Sequence, residues 1–394
     1  MIVDLCPYWV TPITGGGPLR VYNLNKFISE EFSVSQFSFR PTSIMRKLGQ
    51  KILQPSVVSL SDNYREFRLS NPLIIASSIL FYKLGLPPDY MISRFAYLMR
   101  NNYLTKCLNE AKIVQIEHPW LFDFARNIDK RSLIVLSSHN CENILYAKCI
   151  SSRIKDKLIE IEKRSIELSD IVLAVSSEDI ENFHRILNIN DKDNIFVIPN
   201  GVDCHNIRKI TDENRLEAKK RLGLVGKKVI LFMGSIHLPN WEAMRIIEER
   251  ISKQIKDDEI IFLIMGSVGE GSKSHDNIIY TGHLPEKDPY IMASDIAINP
   301  LISGSGTNLK LLEYMAYGLP VVTTDIGARG LQVEHLKHVI VSTISDFEYW
   351  LPSILDNDEL SRKLSFNARL LVETNYDWKN IAKKVCNIYT KFIQ

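Results

Sequence analysis

The stretch Asn299–Leu331, NPLISGSGTNLKLLEYMAYGLPVVTTDIGARGL, decides how this chain is read. Ala297–Ile298 running into Asn299-Pro300-Leu301 reads as the end of a buried strand, and Gly304-Ser305-Gly306-Thr307-Asn308 as a turn of small residues. Leu309–Tyr317 has helical spacing, with Leu309, Leu312, Met315 and Ala316 on one side. Gly318 stops that helix, Pro320 lies just beyond it, and Val321–Thr323 opens the next strand. A strand that passes through glycines into a helix N-terminus gathers unpaired backbone N–H groups and the positive end of the helix dipole in one place, which suits an anion. Lys310 adds a positive charge in the first turn. Glu313, one turn on, fits a pair of sugar hydroxyls better than a phosphate. The same pattern is compatible with an ordinary strand–helix–strand unit whose glycine turn is merely tight.

The chain around this stretch has 394 residues, more than one hydrophobic core usually serves, so two domains are expected. A net charge of +2 does not suggest a nucleic-acid binder, but the charge is uneven. Arg40–Lys106 holds ten basic residues against three acidic ones. Its apolar run, Pro72–Tyr82, is too short to span a bilayer and is broken by Gly85-Leu86-Pro87-Pro88. Basic charge beside apolar surface suits docking on an anionic membrane face, whereas the plainer reading is a pair of core-packed helices with solvated charges. The six cysteines are scattered without C-x-x-C or zinc spacing and read as free thiols in a reducing compartment. The start, MIVDLCPYWVTP, has no charged n-region and no long apolar run, so a first strand is expected rather than a signal peptide, and a cytoplasmic location with it.

In the N-terminal part, Ile2–Cys6 is expected as a strand, followed by Gly15-Gly16-Gly17 and a helix over Leu19–Phe32. This again lets backbone approach a ligand closely, though three glycines also suit a plain flexible loop. G-x-G-x-x-G is absent, so the dinucleotide fingerprint is not met. Ser33–Phe39 is the second expected strand. From residue 111 strands alternate with helices, and polar groups follow the strand ends: Glu117-His118-Pro119-Trp120, Ser138-His139-Asn140-Cys141-Glu142, Ser176-Ser177-Glu178 and Pro199-Asn200-Gly201-Val202-Asp203. In open α/β sheets that edge binds ligands. His139 is the best single candidate there, with a structural hydrogen-bonding role as its alternative. After a boundary at Pro199–Asp203 a second series begins, with strands at Lys228–Met233, Ile260–Met265, Ile278–Thr281, Ile296–Asn299, Val321–Thr323 and Val339–Ser342. Two doubly wound α/β domains are therefore expected, with an amphipathic helix over Asp377–Ile393 at the end.

At this point the residues resemble a known family. His139–Glu142, Ser169-Asp170 with Val175-Ser176, Val197–Asp203, Phe232-Met233-Gly234-Ser235, Gly282-His283-Leu284, Ala293-Ser294-Asp295 with Pro300-Leu301, and above all Leu312–Val322 look like a retaining glycosyltransferase of the two-Rossmann-domain GT-B type, glycosyltransferase family 4. The resemblance is strongest over 110–331 and implies two Rossmann-like domains facing across a cleft. The acceptor-side domain would be 1–200, completed by helix 377–394, and the donor-binding domain 201–376. It implies that Glu313 binds the ribose hydroxyls of a nucleotide-diphosphate sugar. Gly304, Ser305, Gly306, Thr307 and Asn308 would hold the diphosphate, with Gly234 and Ser235 beside it and His283 and Leu284 lining the base pocket. Gly16 and Gly17 would close over the diphosphate, and His139 would sit beside the transferred sugar. Glu117, His118, Asn140 and Glu142 fall on the acceptor side.

Three departures stand out. The first glutamate of the family's E-x7-E is Ser305 here, and the usual Arg and Lys after the first strand of the second domain are replaced by Ser235 and Asn240. Lys310, with Arg329 as a second source, is left to supply the positive charge that a departing nucleoside diphosphate needs. No metal-binding spacing and no D-x-D appears at a strand end, so a metal-independent reaction with no cofactor is expected. The expected partners are the nucleotide-sugar donor and a glycan or lipid-linked acceptor, as in surface polysaccharide or glycolipid assembly at the inner membrane face. A non-catalytic scaffold on the same fold, motivated by the three departures, and a sugar-nucleotide epimerase are the competing readings.

Overall fold

The computed structural model describes residues 1–13, 15–40, 56–69, 71–83, 88–128, 131–146, 152–190, 192–255, 257–304 and 306–393. The chain divides into two units, Met1–Asn200 with Trp378–Gln394, and Gly201–Asp377.

The first unit is built on an eight-stranded sheet. Its strands are β1 (Ile2–Cys6), β2 (Val34–Ser38), β3 (Ser56–Ser61), β4 (Tyr64–Arg68), β5 (Ile113–Glu117), β6 (Leu133–Ser137), β7 (Ile171–Ala174) and β8 (Ile195–Val197), in the order β3-β4-β2-β1-β5-β6-β7-β8. Every pairing is parallel except the β3–β4 hairpin. β1, β5 and β7 are buried along their whole length; β7, IVLA, accordingly reads as an unbroken apolar run, whereas Asp4 interrupts β1 and Gln115 and Glu117 interrupt β5. Chain order reverses at β1, whose neighbours are β2 and β5, so the loops after β1 and β5 leave the sheet in opposite directions and open a crevice between them. Gly15 is the N-cap of helix Gly16–Ile28, which starts three residues earlier than its apolar spacing suggests. The terminal helix Trp378–Ile393 packs on it, with Trp378, Ile381, Val385, Ile388 and Tyr389 buried against Leu24 and Ile28. Asp377, expected inside that helix, is extended, bridges Val202, and accepts a 3.0 Å hydrogen bond from the Cys204 N–H.

The basic segment departs from the expected pair of helices. Ser56–Arg68 forms the β3–β4 hairpin, which extends the sheet past β2, and helices Pro72–Lys83, Pro88–Phe95 and Asn102–Glu110 follow. Residues 41–55, 70 and 84–87 of this segment lie outside the described residues. Among the described residues no helix is long and apolar enough to cross a membrane. Cys6, Cys107, Cys141, Cys204 and Cys386 are buried free thiols.

The second unit has six parallel strands: β9 (Lys228–Met233), β10 (Ile260–Met265), β11 (Ile278–Gly282), β12 (Ile296–Asn299), β13 (Val321–Thr323) and β14 (Ile340–Val341), ordered β11-β10-β9-β12-β13-β14. Two apolar layers cover the sheet, one containing Leu231, Leu311 and Leu312, the other Phe232, Ile247 and Phe347. The reversal of chain order falls between β9 and β12, which puts the Gly234 turn and the Gly304–Asn308 turn on either side of one crevice.

Candidate active site

A cavity of about 740 Å³ occupies that crevice in the second unit. Gly234, Ser235, His283, Leu284, Gly304, Gly306, Thr307, Asn308, Lys310 and Glu313 all line it, while Ser305 lies outside the described residues. The floor depends on two glycines. Gly266, at the end of β10, has φ +102°, and a Cβ there would sit 2.4 Å from the Gly234 carbonyl oxygen. A Cβ on Gly234 would in turn come within 2.9 Å of Val268. Gly266 thus has no room for a Cβ against the Gly234 backbone, and a Cβ on Gly234 would press on the Val268 side chain.

Helix Leu309–Tyr317 enters the cavity at its N-terminus. Its N-cap, Asn308, makes no side-chain capping bond, so the first N–H groups are left for a ligand. At its far end Gly318 adopts the left-handed C-cap, and mid-helix the Tyr314 hydroxyl accepts the Met233 N–H at 2.7 Å, tying the helix to β9. The glycine turn is held from behind by Arg329, whose guanidinium donates to the Gly304 carbonyl at 2.9 Å and the Gly306 carbonyl at 3.1 Å.

Lys310 is not the freely charged group that its position in the first turn suggests. Its amine lies 4.4 Å from the centre of the Phe232 ring and donates to Asn240 Oδ1 at 2.6 Å. Burial with no carboxylate beside it lowers its pKa to about 7. Asn240, one of the departures from the family pattern, thus serves as the acceptor that holds Lys310; its own Nδ2 donates to the Ser235 carbonyl at 2.9 Å. Glu313 is likewise engaged, in an ion pair with Lys287, a cavity residue with no motif around it to single it out. Among its described lining residues the cavity has three long basic side chains, Lys287, Lys310 and Arg329, against one carboxylate, Glu313. Such a balance accepts an anion at the helix start and a neutral hydroxyl pair one turn deeper.

In the first unit the residues expected on the acceptor side form a compact buried cluster at the β1/β5 reversal. His139 Nε2 lies 2.5 Å from Glu117 Oε2, and His118 Nδ1 lies 2.6 Å from Glu142 Oε1. The two imidazoles are stacked, with centroids 4.1 Å apart and planes tilted by 32°. Tyr8, which the sequence did not flag, is 3.1 Å from His118 Nε2 through its hydroxyl, and a Cβ on Gly17 would reach within 2.5 Å of that hydroxyl. Gly16 is the first residue of the helix that Gly17 continues. Asn140 contributes through its backbone, its carbonyl accepting the Ser138 hydroxyl at 2.9 Å.

Glu117 and Glu142 are buried and each is taken up by an imidazole, so they orient the two rings instead of presenting carboxylates to an acceptor. Burial opposes ionisation of Glu117, but the His139 hydrogen bond and the charge of Arg20 outweigh it and its pKa is lowered. Burial, reinforced by the neighbouring Glu142, pushes Glu162 up to about 8; its oxygen accepts the Glu142 N–H at 2.7 Å, fixing the turn that carries Glu142. Arg20 is buried and donates to the carbonyls of Ile198 and Pro199 at 2.8 and 2.9 Å. Beneath the cluster, Glu66, Gln36, Asp4 and Gln115 form a fully buried row across β4, β2, β1 and β5. Gln115 passes this row to the site by donating to Glu117 Oε1 at 2.5 Å.

Residues 227–349 match the family described as Glycosyl transferases group 1. That region holds the whole β9–β14 sheet and the cavity residues from Met233 to Arg329. Over nearly its full length the chain is 22% identical to an uncharacterized glycosyltransferase of Methanocaldococcus jannaschii, covering 98% of this chain and 97% of that protein. The phosphatidyl-myo-inositol mannosyltransferase of Mycobacterium leprae is 26% identical over 49% of this chain and 52% of its own length. Among solved structures, sucrose-phosphate synthase from Thermosynechococcus elongatus superposes with a TM-score of 0.71 at 16% identity, covering 99% of this chain and 98% of that one. Anabaena HepE, in complex with UDP and glucose, gives a TM-score of 0.68 at 14% identity over 99% and 100%. The fold is therefore the two-domain, parallel-sheet α/β fold of GT-B glycosyltransferases.

Proposed function

We propose that this chain is a glycosyltransferase that takes its sugar from a nucleotide diphosphate donor. The observation that carries the reading is the cavity at the β9/β12 reversal, where an open helix N-terminus, Lys310 and Arg329 surround one end and Glu313 stands one turn deeper. Negative charge grows on the leaving diphosphate as the sugar passes through an oxocarbenium-like state, and oriented N–H groups and cations stabilise it most when they are fixed in advance. Glu313 takes the ribose hydroxyls after releasing Lys287.

Transfer proceeds with retention and without a metal: the acceptor hydroxyl attacks on the face the diphosphate leaves, its oxygen bonds to the anomeric carbon, and its proton goes to the departing phosphate oxygen. The engagement of Glu117 and Glu142 by imidazoles supports this, because neither is offered as a carboxylate nucleophile. A glycan or lipid-linked acceptor at a membrane surface is supported by the exposed Leu73, Leu80, Phe95, Tyr97, Leu98 and Tyr103, which stand in the same segment as the exposed Arg94, Arg100 and Lys106. Each such basic residue adds about 1 kcal/mol of attraction near an anionic surface.

Titration calorimetry with UDP, GDP and their hexose conjugates tests the reading. Glu313→Ala is expected to weaken binding of the preferred nucleotide by about 1.5–3 kcal/mol, roughly tenfold or more, by removing a charged hydrogen-bond acceptor. Unchanged affinity in Glu313→Ala, or binding of none of these nucleotides by the native chain, would sink it.

A further inference from the structure

We propose that His118 is a positioning residue: anchored on Glu142 and Tyr8, its ring fixes the orientation and the tautomer of His139, so that His139 Nδ1 stays a bare hydrogen-bond acceptor facing the Gly15–Gly17 turn. The inference rests on the glycosyltransferase reading for its purpose, since Nδ1 would receive a sugar hydroxyl, but its geometry stands apart from that reading.

His118 follows β5 with φ 64° and ψ 162°, a backbone conformation that side-chain-bearing residues rarely adopt. Such a conformation persists where the surroundings overdetermine it, and it gathers at functional sites. Here three contacts hold the ring. Nδ1 meets Glu142 at 2.6 Å, Nε2 meets the Tyr8 hydroxyl at 3.1 Å, and the ring face lies on His139 at a centroid separation of 4.1 Å. A carboxylate only accepts, so His118 Nδ1 carries a proton; the Tyr8 oxygen can also accept, so a second proton on Nε2 leaves every bond intact.

His139 differs. Its Nε2 donates to Glu117 at 2.5 Å, and Nδ1 points toward the start of helix Gly16–Ile28, 3.8 Å from where a Gly17 Cβ would stand. A second proton on His139 would place two cationic rings in contact, beside the buried Arg20. Like charges this close in a buried site do not both ionise.

The charged and titratable groups around the pair divide them in the same sense. Arg20 on the glycine-turn helix and Glu117 on β5 face His139. Glu142, Asp89, Glu117 and Tyr8 face His118, and Glu162 stands behind Glu142. Burial and then the charge of His118 hold the His139 pKa down at about 4, whereas for His118 the Glu142 carboxylate outweighs burial and raises it. His118 is the ring that takes a proton first, and that proton keeps His139 neutral.

The test is the pH titration of the imidazole ¹⁵N and ¹³C resonances in the nucleotide-free full chain, native and with His118→Gln or Glu142→Gln. Glu142→Gln keeps the His118 ring in place and serves if His118→Gln does not fold. In the native chain His139 is expected to remain the Nε2–H tautomer from pH 5 to 8. In either variant its midpoint is expected to rise by at least one pH unit, as it loses a cationic neighbour, and a population with Nδ1 protonated is expected to appear. An unchanged His139 midpoint and tautomer in both variants overturns the inference. Because no donor is present, that failure leaves the glycosyltransferase reading untouched, whereas absence of nucleotide binding would overturn that reading without altering these resonances.

Discussion

Nucleotide binding to the second unit should draw a proton from solution, because burial lowers the pKa of Lys310 to about 7. The amine rests on the Phe232 face and on Asn240, two neutral partners, so no carboxylate holds its charge. A diphosphate at the start of helix Leu309–Tyr317 would supply the missing negative charge and return the pKa toward that of an ordinary lysine. Below about pH 6 the amine is protonated in both states and contributes no proton uptake; above about pH 7 it is neutral when free and charged when bound, so binding weakens as pH rises. At pH 8 roughly eight- to nine-tenths of a proton should be taken up per nucleotide, given a free pKa near 7 and a bound pKa of 9 or more. The pH to choose is 8, because the terminal phosphate of a nucleoside diphosphate, with a second pKa of about 6, is by then fully ionised. Raising the pKa by two units corresponds to about 2.7 kcal/mol of interaction with the diphosphate. Calorimetry in two buffers of different ionisation enthalpy measures the uptake. Lys310→Met should abolish the buffer dependence and weaken binding, and Lys310→Arg, which keeps its charge throughout, should bind with a flat pH profile. Equal heats in both buffers for the native chain would refute this account of the cavity, since the amine would then be either charged beforehand or remote from the ligand.

Gly266→Ala should destabilise the second unit by about 3 kcal/mol, through a strained backbone and a Cβ 2.4 Å from the Gly234 carbonyl; denaturant unfolding measures it. Trp378→Ala removes a fully buried indole from the core shared by the terminal helix and helix Gly16–Ile28, and should cost about 3–5 kcal/mol in the same assay. Gly17→Ala brings a methyl within 2.5 Å of the Tyr8 hydroxyl and should displace Tyr8 from His118. Transfer should then fall at least tenfold with unfolding little changed, as steady-state kinetics beside a melting curve will report.

What the sequence determined by itself is the local repeat of strand and helix and the places where backbone meets a ligand. β7 and β10 are nearly or fully buried on both faces, so their apolar runs needed no knowledge of neighbours. Helix Leu309–Tyr317 carried its own stop in Gly318, and the open N-terminus ahead of it is a property of the adjoining residues alone. The hairpin Ser56–Arg68 was illegible because it lies at the sheet edge, half exposed, and because Glu66 reads as a surface charge. In the fold Glu66 is fully buried and accepts from the Val10 N–H at 2.7 Å and the Ser38 hydroxyl at 2.8 Å, partners far away in the chain.

Tertiary structure alone decided what the candidate groups are chemically. Lys310 and Asn240 are 70 residues apart, Lys287 and Glu313 26, and His118 and Glu142 24, and each pair meets only because strand order brings two loops to one crevice. A side chain's charge depends on its burial and its partners, and neither is a property of the residue type. That is why Lys310, a full cation by sequence, sits near its titration point at neutral pH, and why Glu117 and Glu142, carboxylates free to act by sequence, serve two histidines.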